Sequence, residues 1–172
     1  MKKVQSLICH LLLLGVSFSL FSQDYEPEIG DIAPNIILNS PTELTYSLYS
    51  LEGKIVLINF WASWCQECLN ETSNLRNLYE EFKDQEFING TGFEIYNISL
   101  DINKESWLRM MNLFSINWTY NVSDLKGWNS KPALVYGIED IPANVLIDGE
   151  AIVIDKNIFG ENLRAKLESL LK

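Results

Sequence analysis

Histidine occurs once in the 172 residues, as His10, and cysteine three times, as Cys9, Cys65 and Cys68. Basic residues are also scarce: 13 Lys and Arg stand against 23 Asp and Glu, a formal net charge of −10. One apolar run stands out, Leu11–Phe21, and small residues (Gly15, Ser17, Ser19) interrupt it. Internal repeats, low-complexity tracts and a linker are all missing, and the length suits a single ordinary domain. Each shortage closes a class of function. An acidic chain is a poor match for a nucleic-acid partner. With so little histidine, Cys–His proteases, Ser–His–Asp triads and histidine-ligated metals are excluded. A domain of this size and apolar content builds a normal core without disulfide staples.

What is present begins with a leader. Lys2 and Lys3 precede the apolar run, and Ser22-Gln23 follows it. A basic start, a short apolar stretch and a small-residue exit describe a secretory signal peptide over residues 1–22. The alternative is an uncleaved membrane anchor, for which the run is short, since a spanning helix needs about 20 apolar residues. Cys9 lies before the run rather than after it and does not read as a lipid attachment site. The mature domain, residues 23–172, then has no histidine and two cysteines. Lys2 and Lys3 leave with the signal, so 11 basic residues face 23 acids, a net charge of −12.

Along the domain, Tyr25–Pro34 reads as an extended lead-in, and Asn35–Leu38 with Glu43–Tyr46 as a short hairpin. Ile55–Trp61 is a near-continuous β-branched and aromatic run, the pattern of a strand buried on both faces. A helix is predicted from Trp64 to Phe82, with Leu75, Leu78, Tyr79 and Phe82 on one stripe. A second buried strand covers Phe93–Leu100. A helix over Lys104–Phe114 presents Trp107, Met110, Met111 and Phe114. Trp118–Val122 reads as an edge strand, Ser130–Tyr136 as a short helix, Asn144–Ile147 and Ala151–Ile154 as a hairpin, and the segment from Gly160 as the last helix. The fold class is α/β, a central mixed sheet flanked by helices with an N-terminal β-hairpin extension.

Trp64-Cys65-Gln66-Glu67-Cys68 falls where the first buried strand meets a helix. Cys65 therefore sits at a helix N-terminus, where unpaired N–H groups and the helix dipole favour a thiolate, the species that attacks a disulfide. Cys68 is one turn on and within reach of a mixed disulfide. This spacing predicts Cys65 as the exposed nucleophile and Cys68 as the resolving thiol. Half a zinc site would need two more Cys or His ligands, which the mature domain lacks. A structural disulfide closing so short a loop adds little stability.

Two further residues stand beside the pair. Extending the apolar stripe of the helix backward from Phe82 passes through Glu71 and Cys68. A carboxylate there either accepts the proton of Cys68, so that this thiol attacks as a thiolate, or bends outward and complements the helix start. Pro142 follows Ile141 just before a strand. It is either an ordinary loop residue or a cis-proline that exposes the Ile141 backbone to an extended peptide.

The stretch Gly53–Cys68, the lead-in Gly30-Asp31-Ile32-Ala33-Pro34 and the tail Gly137–Asp148 together resemble thioredoxin-like proteins of the TlpA/ResA kind, exported or membrane-tethered thiol–disulfide oxidoreductases of bacteria. The resemblance covers most of residues 28–172. It implies a thioredoxin-like fold, a redox-active Cys65–Cys68 pair without another cofactor or metal, and Pro142 as a cis-proline. It also implies Glu71 as the proton acceptor, and Trp64, Ile141 and Pro142 as the substrate-binding residues. Thioredoxin has a buried acid six residues before the first cysteine, whereas here that position is Asn59. The implied partners are disulfide-bearing proteins of the periplasm and a membrane-embedded electron donor.

Three positions depart from the pattern: Glu67 replaces the usual proline before the second cysteine, Ser73 a helix proline, and Ala143 a common threonine. Negative charge at Glu67 disfavours the neighbouring thiolate, which makes the disulfide harder to reduce and the protein a reductant. Two other readings remain. A thiol peroxidase would carry Pro and Thr at the positions of Ile58 and Ala62. A redox-idle binding module would use the disulfide only to shape a groove.

Overall fold

A computed structural model describes residues 26–172, so the signal-peptide reading of residues 1–22 lies outside the described residues. The N-terminal hairpin pairs β1 (Ile37–Asn39) with β2 (Thr45–Ser47), Leu38 opposite Tyr46. Both strands lie one or two residues later than the sequence indicated. Asn35 spends its side chain on the Ser47 hydroxyl and the Tyr49 N–H, and Glu43 is drawn into the turn at φ 62°.

The apolar run forms β3 (Ile55–Trp61), buried at every position. It leads through a short turn into α1 (Gln66–Phe82), whose Leu75, Leu78 and Phe82 are buried as their spacing requires. A miniature hairpin that periodicity does not announce, β4 (Glu86–Phe87) and β5 (Gly90–Thr91), returns the chain to β6 (Phe93–Ser99). Then follow α2 (Lys104–Leu113), β7 (Tyr120–Val122), α3 (Lys131–Val135), β8 (Ala143–Ile147), β9 (Val153–Lys156) and α4 (Gly160–Ser169). The last hairpin opens later than expected because the Asp148 carboxylate accepts the N–H groups of Glu150 and Ile152, which lengthens the loop.

The central sheet has the order β7-β6-β3-β8-β9. β3 is parallel to β6 and β6 to β7, whereas β8 is antiparallel to both β3 and β9. Residues in register share a face. On one face a row of asparagines crosses four strands: Asn144 opposite Asn59, Asn59 opposite Asn97, Asn97 opposite Asn121. All four are buried, and the row is hydrogen-bonded. Asn59 Nδ2 donates to Asn97 Oδ1 at 2.7 Å, Asn97 Nδ2 to Asn121 Oδ1 at 2.8 Å, and Asn121 Nδ2 to the Trp118 carbonyl at 2.6 Å. Asn144 holds the segment before α4 through both its amide atoms, which bond the Ile158 backbone.

The opposite face carries Tyr96, whose hydroxyl donates to the Ile36 and Tyr46 carbonyls, and Phe60 against Tyr136, whose hydroxyl donates to Pro34. Burial pushes both phenols above the ordinary tyrosine range, so they remain O–H donors and bind the lead-in and hairpin to the sheet. Among the described residues no helix is long and apolar enough to cross a membrane.

The asparagine row is the polar part of the core most exposed to a single change. Replacing Asn97 by Ala leaves Asn59 Nδ2 and Asn121 Oδ1 buried without partners, an expected loss of about 2–4 kcal/mol. Urea unfolding measures it, and a loss below about 0.5 kcal/mol would show that the row does not act as a connected unit.

Candidate active site

β3 ends at Trp61, and after Ala62, Ser63 and Trp64 the chain enters α1 with Cys65 as its N-cap. The Cys65 backbone is still extended (φ −88°, ψ 102°), and its Sγ accepts the Cys68 N–H at 3.1 Å. A sulfur that accepts a helix N-terminal N–H and faces the positive end of the dipole is stabilised as an anion. Cys65 and Cys68 are joined as a disulfide, with Cα atoms 5.3 Å apart.

Exposure does not separate the two cysteines as the sequence led one to expect. Cys65 is 4% exposed and Cys68 5%, so Cys65 is not the exposed member in the disulfide form. Part of the reason is the Ile141 carbonyl oxygen, 3.7 Å from Cys65 Sγ. What distinguishes Cys65 is its place at the helix N-cap. Within the motif Trp64 is exposed, at 58%, as are Gln66 and Glu67.

The Ile141–Pro142 peptide is cis. Ile141 is brought beside Cys65 from a position 76 residues along the chain. Its N–H is already occupied, since it donates to Asp140 Oδ1 at 2.8 Å. A peptide pairing with Ile141 therefore has to displace the Asp140 side chain to reach the N–H, while the carbonyl faces the sulfur.

Glu71 lies one turn beyond Cys68 on α1 and is partly buried. Its Oε1 accepts the Gly160 N–H at 3.0 Å and the Asn74 amide at 2.8 Å. The carboxylate thus sits at the start of α4, where a helix N-terminus favours it, and ties the redox helix to the C-terminal helix. Among the described residues Oε2 accepts no hydrogen bond, which leaves it available to a proton.

A residue that local sequence reading misses is Asp101, 2% exposed at the end of β6. Its Oδ2 accepts the Ser63 N–H at 3.0 Å and the Ser99 hydroxyl at 2.7 Å, and its Oδ1 accepts the Ser63 hydroxyl at 2.6 Å. These bonds fix the turn between β3 and Cys65. The available signal was an acid directly after a strand predicted to be buried, next to a second strand ending in the redox motif. Only the parallel pairing of β3 and β6, which sets Trp61 opposite Ser99, makes the two ends adjacent.

Ile58 and Ala62, where a peroxidase would carry Pro and Thr, are fully buried apolar side chains. Among the described residues no cluster of three or more His, Cys, Asp or Glu is placed to hold a metal ion.

The comparisons agree with this geometry. The model of the AhpC/TSA family matches residues 29–156. The chain is similar to the thiol-disulfide oxidoreductase ResA of Bacillus anthracis, 29% identical over 180 residues, with 100% of this chain and 98% of that protein covered. Among solved structures it resembles a thiol-disulfide oxidoreductase from Bacteroides fragilis at 30% identity and TM-score 0.73, covering 82% of this chain and 100% of that one. It also resembles the thioredoxin domain of a thiol-disulfide oxidoreductase from Bacteroides vulgatus at 29% identity and TM-score 0.75, covering 84% and 99%.

The hold of Asp101 on the turn is open to direct measurement. Asp101→Asn exchanges a charged acceptor of three bonds for an amide that cannot satisfy all of them, an expected loss of about 2–3 kcal/mol in urea unfolding of the oxidised protein. Ser99→Ala removes one of the three bonds and should cost about 1 kcal/mol. An Asp101→Asn loss under about 0.5 kcal/mol would contradict the assigned hold.

Proposed function

The chain belongs to the AhpC/TSA family and is a thioredoxin-like thiol–disulfide oxidoreductase of the TlpA/ResA kind, and on that premise we propose that it is exported and reduces disulfides of periplasmic proteins. The observation that carries the chemistry is Cys65 Sγ accepting the Cys68 N–H at the mouth of α1. In the reduced protein the Cys65 thiolate attacks one sulfur of the substrate disulfide. A Cys65–substrate bond forms, the substrate S–S bond breaks, and the other substrate sulfur leaves as a thiolate that takes a proton. Cys68 then gives its proton to Glu71 and attacks Cys65 Sγ. This closes the Cys65–Cys68 disulfide and frees the second substrate thiol, so two electrons pass to the substrate.

Trp64, Ile141 and Pro142 form the substrate contact in this reading: Trp64 as exposed apolar surface, Ile141 through its backbone. The two electrons return from a membrane-embedded donor. Residues 1–22 direct export and are cleaved, or remain as a tether. Electron flow towards substrate rests on Glu67, an exposed acid in the first turn of α1, where it opposes the stabilisation that the helix end gives the Cys65 thiolate.

The order of attack is tested by trapping. Cys68→Ser should accumulate a mixed disulfide with an oxidised peptide through Cys65, and Cys65→Ser should accumulate none. Equal trapping by both variants would remove the assignment. For the second step, Glu71→Gln is expected to slow release from the mixed disulfide about tenfold or more near neutral pH while its formation keeps its rate. Unchanged release would return Glu71 to a purely capping role. Glu67→Pro removes the opposing charge and should raise the reduction potential of the pair, whereas an equal or lower potential would withdraw the basis for calling the protein a reductant.

A further inference from the structure

Cations in this acidic chain are almost all committed. Of the eleven Lys and Arg among the described residues, Lys54, Lys83, Lys104, Lys156, Arg164, Lys166 and Lys172 are ion-paired, and Arg76 donates to the Phe114 carbonyl. The three left with neither an ion pair nor a side-chain hydrogen bond among the described residues are Arg109, Lys126 and Lys131, and they are not scattered. Arg109 lines a cavity of about 330 Å³ together with Ser63, Trp64 and Ile102, directly beside the redox motif. Lys126 and Lys131 bracket the 3-10 turn Gly127–Asn129, whose Trp128 ring centre lies 6.2 Å from that of Trp64. This turn is seated against the same wall: a Cβ added to Gly127 would stand 3.0 Å from Ile102 Cγ2.

Trp64, Trp128 and Ile102 are 58%, 42% and 77% exposed, a strip of apolar surface beside the disulfide. Arg109 lines the cavity next to it, and Lys126 and Lys131, which also line a second cavity with Asn35 and Ile36, flank it through the Trp128 turn. Asp124 is the acid nearest to the two lysines in sequence. Its carboxylate accepts the backbone N–H groups of Lys126 and Lys131, which commits it to shaping the loop. Asp101 lines the cavity of Arg109 but is buried and committed to Ser63 and Ser99, and Glu105 stands one turn before Arg109 on α2. Further acids are Glu67 on α1 and Glu139 and Asp140 before Ile141. The three cations without a side-chain partner among the described residues thus lie on α2 and on either side of the Trp128 turn.

We propose that this surface docks the acidic flank of a disulfide-bearing protein segment, an apolar side chain lying on Trp64 and Trp128 and carboxylates meeting Arg109, Lys126 and Lys131. Such an arrangement fixes which side of the substrate disulfide faces Cys65, and it steers encounter. It deepens the thiol–disulfide reading and rests on it. It also runs against the net charge of the molecule, which by itself repels acidic partners and favours basic ones, so the two effects are separable by experiment.

The test uses the reduced full chain and three synthetic peptides with the same disulfide loop, flanked by Asp and Glu, by Ser and Gln, or by Lys and Arg. Single-turnover rates are followed at low and high salt. The acidic peptide should react about tenfold faster than the neutral one at low ionic strength, and the advantage should fall towards unity as salt screens it. The combined variant Arg109→Glu, Lys126→Glu, Lys131→Glu should bring the acidic-to-neutral ratio to one or below. Each single reversal should lower it in part, which keeps the test valid if the combined variant does not fold. Equal rates for the acidic and neutral peptides, or a preference for the basic peptide in the unaltered protein, would overturn the docking proposal while leaving the redox reading intact. Failure to reduce any of the three peptides would instead overturn the redox reading, and the docking proposal with it.

Discussion

A single contact, the Cys68 N–H donated to Cys65 Sγ at the first turn of α1, organises the chemistry of this molecule. It exists because Cys65 belongs to two structures at once. Its backbone is still extended, as the end of a strand–turn connection requires, yet its side chain occupies the capping position of a 17-residue helix. Shifted one residue in either direction, the sulfur would lie inside the helix or out in the turn, without the N–H groups that stabilise an anion. The rest of the domain keeps that register. β3 is buried along its full length and cannot slip, and Asp101 holds Ser63 just before the cysteine.

The polar groups around the pair serve different ends. Glu71 joins the redox helix to the start of α4 and keeps one oxygen without a hydrogen bond among the described residues. Asn59 occupies the position that holds a buried acid in thioredoxin, and its amide is drawn into a hydrogen-bonded row reaching Asn121. The row is neutral and places no carboxylate at that position, which in the proposed mechanism leaves Glu71 as the acceptor of the Cys68 proton. The surface beside Trp64 and Trp128 carries Arg109 in its cavity and Lys126 and Lys131 on either side of the Trp128 turn.

Much of this was legible in the sequence, for reasons that can be named. β3, β6 and α1 carry strong apolar patterns, and Trp64–Cys68 combines a motif with a strand-to-helix junction, so their positions follow from local physics. The parts that were not legible depend on tertiary pairing. Asp101 meets Ser63 across 38 residues, and Glu71 meets Gly160 across 89. The asparagine row emerges only when four strands take one register. Two-residue strands such as β4 and β5 are too short to show a period. The expectation of an exposed Cys65 failed in part because the carbonyl of Ile141, remote in sequence, stands beside the sulfur.

The central claim is that Glu67, by opposing the stabilisation that the helix end gives the Cys65 thiolate, keeps the pair a reducing dithiol. The most direct measurement is the reduction potential of the Cys65–Cys68 pair, obtained by thiol trapping in graded dithiothreitol buffers. A value near or below about −250 mV, in the range of reductases such as thioredoxin, is the result this account predicts. A value well above about −200 mV would mark an oxidant or isomerase and contradict it.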